Sequence, residues 1–223
     1  MLNIVNIKCQ IKVLISQYKS MENLIYENEL EKIIKELRKG KIFGLMTDTV
    51  SGIICKVDES LAIKKIYSIK EREEKKPIGI FLCGKSKQKI IKRIEEITEI
   101  NGKIKSEVKK LYKNWPGALT IIYRLKEKYI NNFSIDKKTI GIRMPNDLFL
   151  QKLLSRIDFD LAQTSLNISG DEPCKEIDEI IKKFGDRLDF IIMSNKESSG
   201  ISSTIVDVTG DEIKLIRNGS IKI

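Results

Sequence analysis

The chain has 223 residues, 41 of them Lys or Arg against 31 Asp or Glu, for a formal charge of +10 at pH 7, and it contains no histidine. Without imidazole, histidine acid–base chemistry and histidine metal ligands are excluded. No apolar run approaches the ~20 residues that span a bilayer. At 41% hydrophobic content the chain can bury a sizeable core, built mainly of Ile and Leu because aromatics make up 6%.

The positive charge invites an acidic partner: nucleic acid, nucleotide or a membrane surface. Yet lysines outnumber arginines 33 to 8, a composition in which scattered lysines serve mostly as solvated surface. The few arginines therefore carry more information, because planar bidentate recognition needs a guanidinium. Cys9, Cys55, Cys83 and Cys174 form no C-x-x-C pattern and read as free thiols of a reducing compartment. The N-terminal run is broken by Lys8 and Lys12 and has no small-residue cleavage site, which makes a poor signal peptide. A cytoplasmic protein is expected.

Residues 1–20 read either as a leader ahead of a start at Met21 or as an extra strand around 11–15. Residues 21–223 read as one domain. Asn28 and Glu31 suggest a capping box for a helix whose inner face is Leu30, Ile33, Ile34 and Leu37, with Gly40 as its stop. Strand 41–46 follows. A loop, Thr47-Asp48-Thr49, leads into a second strand ending near 57. Short polar side chains there either cap a hairpin turn or line a pocket at the end of a buried strand.

Asp58 can cap a helix reaching about 71, with Ala62, Ile66 and Ile69 inward. Strand 78–82 and helices near 86–98 and 102–113 come next, broken by Trp115-Pro116-Gly117. Strands 119–125 and 139–144, a helix over 147–155 and a strand over 160–164 lead to a helix carrying Ile177, Ile180, Ile181 and Phe184. The end is β: 188–193, 204–208 and 212–217, the last two joined as a hairpin through Thr209-Gly210-Asp211. Alternating helices and strands with antiparallel pieces predict an α/β domain around a twisted mixed sheet.

Four constellations can carry chemistry. Lys70, Arg72, Lys75 and Lys76 cluster between a helix and a strand, as a polyphosphate grip or as a solvated charge run at a helix C-terminus. Ser165 and Asn167, in Gln163-Thr164-Ser165-Leu166-Asn167-Ile168-Ser169-Gly170, share a side if the chain stays extended. They either hold phosphate oxygens or make a turn. Thr139, Gly141 and Arg143 share a strand face, and Arg143 there needs a carboxylate or phosphate, whether a ligand's or an internal partner's. Ser203-Thr204 opens a strand, and Arg217-Asn218-Gly219 closes the last one. No Walker A or G-x-G-x-x-G loop is present. Asp48 and other carboxylates are available to help hold Mg²⁺, although no ligand spacing specifies a metal site.

In order and spacing these segments resemble the YrdC-type L-threonylcarbamoyladenylate synthase family. The matching pieces are Met46 to Gly52 (M-T-D-T-V-S-G against P-T-D-T-V-Y-G), Lys70-x-Arg72 with Lys76-Pro77, Pro116-Gly117-x-x-Thr120, Thr139 to Pro145, Ser165-x-Asn167-x-Ser169-Gly170, Ser203-Thr204-x-x-Asp207 and Arg217-x-Gly219. The resemblance spans about residues 28 to 219, and the chain looks like the short, single-domain form. Ser51 stands where the family has tyrosine, Met46 where it has proline, and Glu71 and Glu73 flank Arg72.

The resemblance implies a YrdC-like twisted mixed β-sheet flanked by helices around a large basic cavity. It implies condensation of L-threonine, bicarbonate or CO₂, and ATP to threonylcarbamoyl-AMP and pyrophosphate, with Mg²⁺ accompanying the nucleotide. A downstream tRNA threonylcarbamoyl transferase complex would consume the product. Thr49, Arg143 and Ser203 would hold threonine; Arg72, Lys76, Thr139, Ser165 and Arg217 would contact ATP; Lys70, Arg72, Ser165 and Asn167 would form the catalytic quartet. The alternatives are a non-catalytic double-stranded RNA-binding member of the superfamily, and a carbamoyl-transfer relative that works inside a larger maturation enzyme.

Overall fold

A computed structural model describes residues 22–74, 78–133, 138–194 and 196–223. The readings for residues 1–20, including Cys9, and those for Lys75, Lys76 and Pro77 lie outside the described residues.

The elements in chain order are β1 (Leu24–Tyr26), α1 (Leu30–Arg38), β2 (Phe43–Leu45), β3 (Gly52–Lys56), α2 (Ser60–Ile69), β4 (Gly79–Phe81), α3 (Lys87–Ile97), β5 (Thr98–Glu99) and α4 (Lys105–Leu111). They continue with β6 (Leu119–Leu125), β7 (Thr139–Arg143), α5 (Leu148–Arg156), β8 (Leu161–Ser165), α6 (Ile177–Phe184), β9 (Phe190–Met193), β10 (Thr204–Asp207) and β11 (Lys214–Arg217). The strands form one eleven-stranded sheet in the order β1-β9-β2-β3-β8-β4-β7-β6-β10-β11, with β5 added beside β6. Pairing is mixed: β4 and β7 run parallel, as do β6 and β10, while β3 with β8, β4 with β8 and β6 with β7 are antiparallel.

Because successive side chains leave a strand on opposite faces, the central strands feed two cores. Ile53, Ile80, Ile121 and Ile142 pack on one face with Ile66 of α2, Ile94 of α3, Val108 of α4 and Ile181 of α6. Ile54, Phe81 and Leu161 pack on the other with Ile33 and Leu37 of α1 and Leu150 and Leu153 of α5. That second cover stops partway along the sheet. Beyond it, on the same face by alternation, lie Gly52 of β3, Gly79 of β4, Gly141 of β7 and the polar ends of β7 and β8. The bare stretch is the floor of the site.

Local chemistry accounts for most element ends. Asp147 caps α5 by accepting from Leu150 N at 2.8 Å, and Ser86 caps α3 by accepting from Lys89 N at 3.3 Å. Gly40 takes φ +77° after α1 and donates its N–H to Leu37 O at 2.9 Å. Two expected caps do not form. Asn28 and Glu31 make no capping box: the cap position is Glu29, which accepts from Tyr26 N, while Glu31 reaches Arg156 at 2.7 Å. Asp58 does not cap α2; it pairs with Lys56 at 3.0 Å, and Glu59 occupies the cap position. The helix expected over 102–113 is an α-helical turn pair, α4, between 3₁₀ segments Gly102–Ile104 and Tyr112–Asn114.

Candidate active site

The loop from Met46 to Ser51 is both a hydrogen-bonded turn and a pocket wall. Thr47 Oγ1 donates to Val50 O at 2.6 Å and accepts from Thr49 N at 3.2 Å, which closes the turn. Thr49 Oγ1 accepts from Arg143 Nη1 at 2.7 Å. Asp48 Oδ1 accepts from Arg143 Nη2 at 2.7 Å, and its other oxygen accepts from Asn146 N at 3.0 Å. Asp48 is thus bound to the arginine and to the backbone.

Arg143 is 5% exposed. Its Nε donates to Gly117 O at 3.1 Å, so Nε, Nη1 and Nη2 each make a hydrogen bond within the protein. Burial pushes its pKa below the ordinary arginine value, with the Asp48 carboxylate opposing the shift. Gly117 in turn donates its N–H to Met144 O at 2.8 Å, tying the Pro116-Gly117 segment to the end of β7.

Ser203 shares a 2.9 Å hydrogen bond with Thr120 Oγ1, across from Arg143 in the β6–β7 register. Arg217 Nε and Nη2 donate to Ser203 O at 3.0 and 2.8 Å, and Nη2 also to Ser203 Oγ at 3.2 Å. A Cβ at Gly219 would strike Ser202 O and Thr204 N, so the R-x-G spacing lets the chain after β11 lie directly on the backbone around Ser203. Burial, then repulsion from Arg143, pushes the Arg217 pKa below the ordinary value.

At the opposite side, Lys70 follows α2 and is 1% exposed. Its ammonium donates to Ser165 O, to Asn167 O at 3.1 Å and to Asn167 Oδ1 at 2.9 Å. Ser165 Oγ donates to the same Oδ1 at 2.7 Å, and Asn167 Nδ2 donates to Ile168 O and Asp171 O at 2.8 Å. Lys70, Ser165 and Asn167 therefore form a network that orients the last two, with Arg72 beside it. Burial, with the neighbouring Arg72 charge, lowers the Lys70 pKa to about 8. Arg72 Nη1 stands 3.5 Å from Thr164 Oγ1. Glu71 adopts φ +49° and turns its carboxylate toward Arg187 at 3.5 Å.

A cavity of about 140 Å³ joins these parts, with Arg72, Arg143, Arg217, Thr49, Ser165 and Ser203 in its wall. Among the described residues that line it, none is acidic. Lys70 and Asn167 stand behind the wall. Thr139 sits two residues before Gly141 on the same face of β7, opposite Arg124, and does not line the cavity. Thr120 and Gln163 line it without having been singled out from the sequence; Thr120 was legible only as the last letter of Pro116-Gly117-x-x-Thr120. Ser51 is buried and donates to Leu166 O at 3.3 Å. A larger cavity, about 500 Å³ near Arg93, Asp160 and Phe133, contains none of the motif residues.

The Sua5/YciO/YrdC family model, described as telomere recombination, matches residues 35–219. A Methanocaldococcus jannaschii protein provisionally named threonylcarbamoyl-AMP synthase is 36% identical over 194 residues, 87% of each chain. The threonylcarbamoyl-AMP synthase of Vibrio campbellii is 26% identical, over 82% of this chain and 96% of its own. The structure of P. abyssi Sua5 complexed with L-threonine superposes with a TM-score of 0.72 at 26% identity, covering 87% of this chain and 55% of that longer one.

Proposed function

This chain belongs to the Sua5/YciO/YrdC family, and from that premise we propose that it is an L-threonylcarbamoyladenylate synthase with residues 21–223 as its catalytic domain. The observation that carries the reading is the convergence of Arg72, Arg143 and Arg217 on one cavity whose described wall contains no carboxylate. Three guanidinium groups gathered on one cavity favour an anionic ligand, with Arg143 also keeping its internal partner Asp48, and both substrates, an amino-acid carboxylate and a triphosphate, are anions.

Thr49, Arg143 and Ser203 take the threonine carboxylate and amino end. Arg72, Lys76, Thr139, Ser165 and Arg217 contact ATP, with Arg72, Ser165 and Arg217 on the cavity wall. Lys70 and Asn167 hold Ser165 in place and add positive charge beneath it. The threonine amine attacks CO₂, forming an N–C bond and losing a proton. One carbamate oxygen then attacks the α-phosphorus; an O–P bond forms, the bond to the β-phosphate oxygen breaks and pyrophosphate leaves. This chemistry needs alignment and charge neutralisation rather than a histidine base.

Among the described residues no group of three Asp, Glu, Cys or His side chains could hold a metal ion. In this reading Mg²⁺ travels on the triphosphate and neutralises its charge. The product is consumed by a tRNA threonylcarbamoyl transferase complex in the cytoplasm. No described helix is long and apolar enough to cross a membrane.

The test is pyrophosphate release by the purified chain. Release is expected only when ATP, bicarbonate and L-threonine are all present; pyrophosphate that does not depend on threonine would overturn the assignment.

A further inference from the structure

Gln163 lies where the two ends of the site meet. It faces the cavity side of β8, between Leu161 and Ser165. Its neighbour across the sheet is Gly79 of β4, and the next in the same row is Gly141 of β7. Two adjacent strands therefore present no side chain beside it. A Cβ on Gly79 would collide with Gln163 Nε2, so glycine at 79 is what lets the carboxamide lie over β4, toward β7.

The amide belongs to both compartments of the site. It lines the 140 Å³ cavity with Arg72 and Arg217, and also a small recess walled by Thr47, Thr49, Ser51, Phe81 and Arg143. Among the described residues, no hydrogen bond engages the Gln163 carboxamide, although other polar groups around the cavity, including Thr49, Thr120, Arg143, Ser165, Ser203 and Arg217, are bonded within the protein. A neutral, unengaged donor and acceptor on a glycine floor is suited to a substrate group.

The chemistry names that group. With the amino-acid carboxylate at Arg143 and the α-phosphate near Arg72 and Ser165, the carbamate must lie between them. It has two oxygens: one attacks phosphorus, and the other becomes the carbonyl of the product. We propose that Gln163 Nε2 donates a hydrogen bond to the non-attacking carbamate oxygen, holding the other oxygen toward the α-phosphorus. A neutral donor can orient the carbamate without tying up its negative charge as a cation would. This assignment rests on the synthase reading above.

The experiment is steady-state pyrophosphate release by the full chain with bicarbonate varied at saturating ATP and threonine. Wild type is compared with Q163A, Q163E, G79A and the G79A/Q163A double variant. Q163A is expected to lower kcat/KM for bicarbonate at least tenfold, and Q163E further, because a carboxylate repels the carbamate. G79A should lower it too, by displacing the amide, and G79A/Q163A should be no worse than Q163A alone. Threonine and ATP affinities, measured by calorimetry in CO₂-depleted buffer, should stay within twofold of wild type. Wild-type bicarbonate dependence in Q163A would overturn the proposal, as would threonine and ATP affinities falling by the same factor. Thermal melting checks folding, and Q163E, nearly isosteric, carries the test if Q163A melts early. Failure of the synthase reading itself appears separately, as wild-type protein that releases no threonine-dependent pyrophosphate.

Discussion

In the proposed synthase, Arg143 is the residue on which the threonine end turns. Asp48, Thr49 and Gly117 hold its guanidinium in one orientation, so it meets a ligand already aligned and loses little conformational entropy on binding. Arg143→Ala removes a charge-assisted bond of roughly 1.5–3 kcal/mol. Threonine affinity should fall roughly 10- to 100-fold by that conversion, with ATP affinity much less affected; equal loss of both in a binding titration would refute the carboxylate role.

Lys70 makes a second residue-level prediction, in pH. Its folded-state pKa is about 8, against an ordinary value of 10.5. Between those values the unfolded chain keeps a proton that the folded chain has released, so the Lys70 contribution to stability rises with pH through that window. Triphosphate binding favours the charged form and acts in the opposite direction. ATP affinity should therefore weaken as pH climbs past about 8, with proton uptake on binding. Calorimetry at pH 7 and 9 in buffers of different ionisation heat measures this. Lys70→Met should bind ATP more weakly and lose the uptake.

At the scale of elements, the last hairpin supplies part of the cavity wall. β10 pairs parallel with β6 and antiparallel with β11, so Ser203 is placed by one strand and Arg217 by its partner. Gly219 permits the close contact between them. Gly219→Ala should lower the melting temperature and weaken threonine binding together, because its Cβ would displace the backbone at Ser203. A melting curve and a threonine titration on the same sample test whether the two losses are joined. At the other end of the β7–α5 connection, Asp147 caps α5 and also binds Lys196 at 2.8 Å. Asp147→Ala should cost about 1–2 kcal/mol of stability, read by urea denaturation, without changing ATP affinity.

The longer elements were legible from apolar spacing. β6 begins and ends at the expected residues, and α6 carries its expected apolar face. β1 and β5 were not expected; over the two residues of β5 no periodicity can accumulate. The helix ends show the same division. Gly40 stops α1 as expected, while Asn28 and Asp58 do not cap: Glu29 takes the cap position of α1, and Asp58 pairs with Lys56.

At the scale of the whole molecule, the charge of +10 is distributed mostly over lysines, whereas the cavity is lined by arginines. If the basic surface is only a solvating coat, double-stranded RNA should bind weakly and be released by ~0.2 M salt. Tight binding that survives that salt, in a filter-binding assay, would favour an RNA-binding role instead.

The sequence by itself determined the residue types, their spacing, the α/β alternation and the resemblance to the synthase family. It also carried the exclusion of histidine chemistry. Three things depended on the tertiary structure. Arg143 proved to be held by Asp48 and Thr49 of the loop after β2, Lys70 proved to lie behind the cavity wall, and Gln163 proved to lie across a floor of glycines. Each depends on strands far apart in the chain being laid side by side. Spacing along a strand specifies which face a residue takes, but register between β3, β8, β4 and β7 decides which side chains meet on that face. For Thr47-Asp48-Thr49 both local readings hold: it is a turn by its own hydrogen bonds, and a pocket wall because β7 brings Arg143 to it.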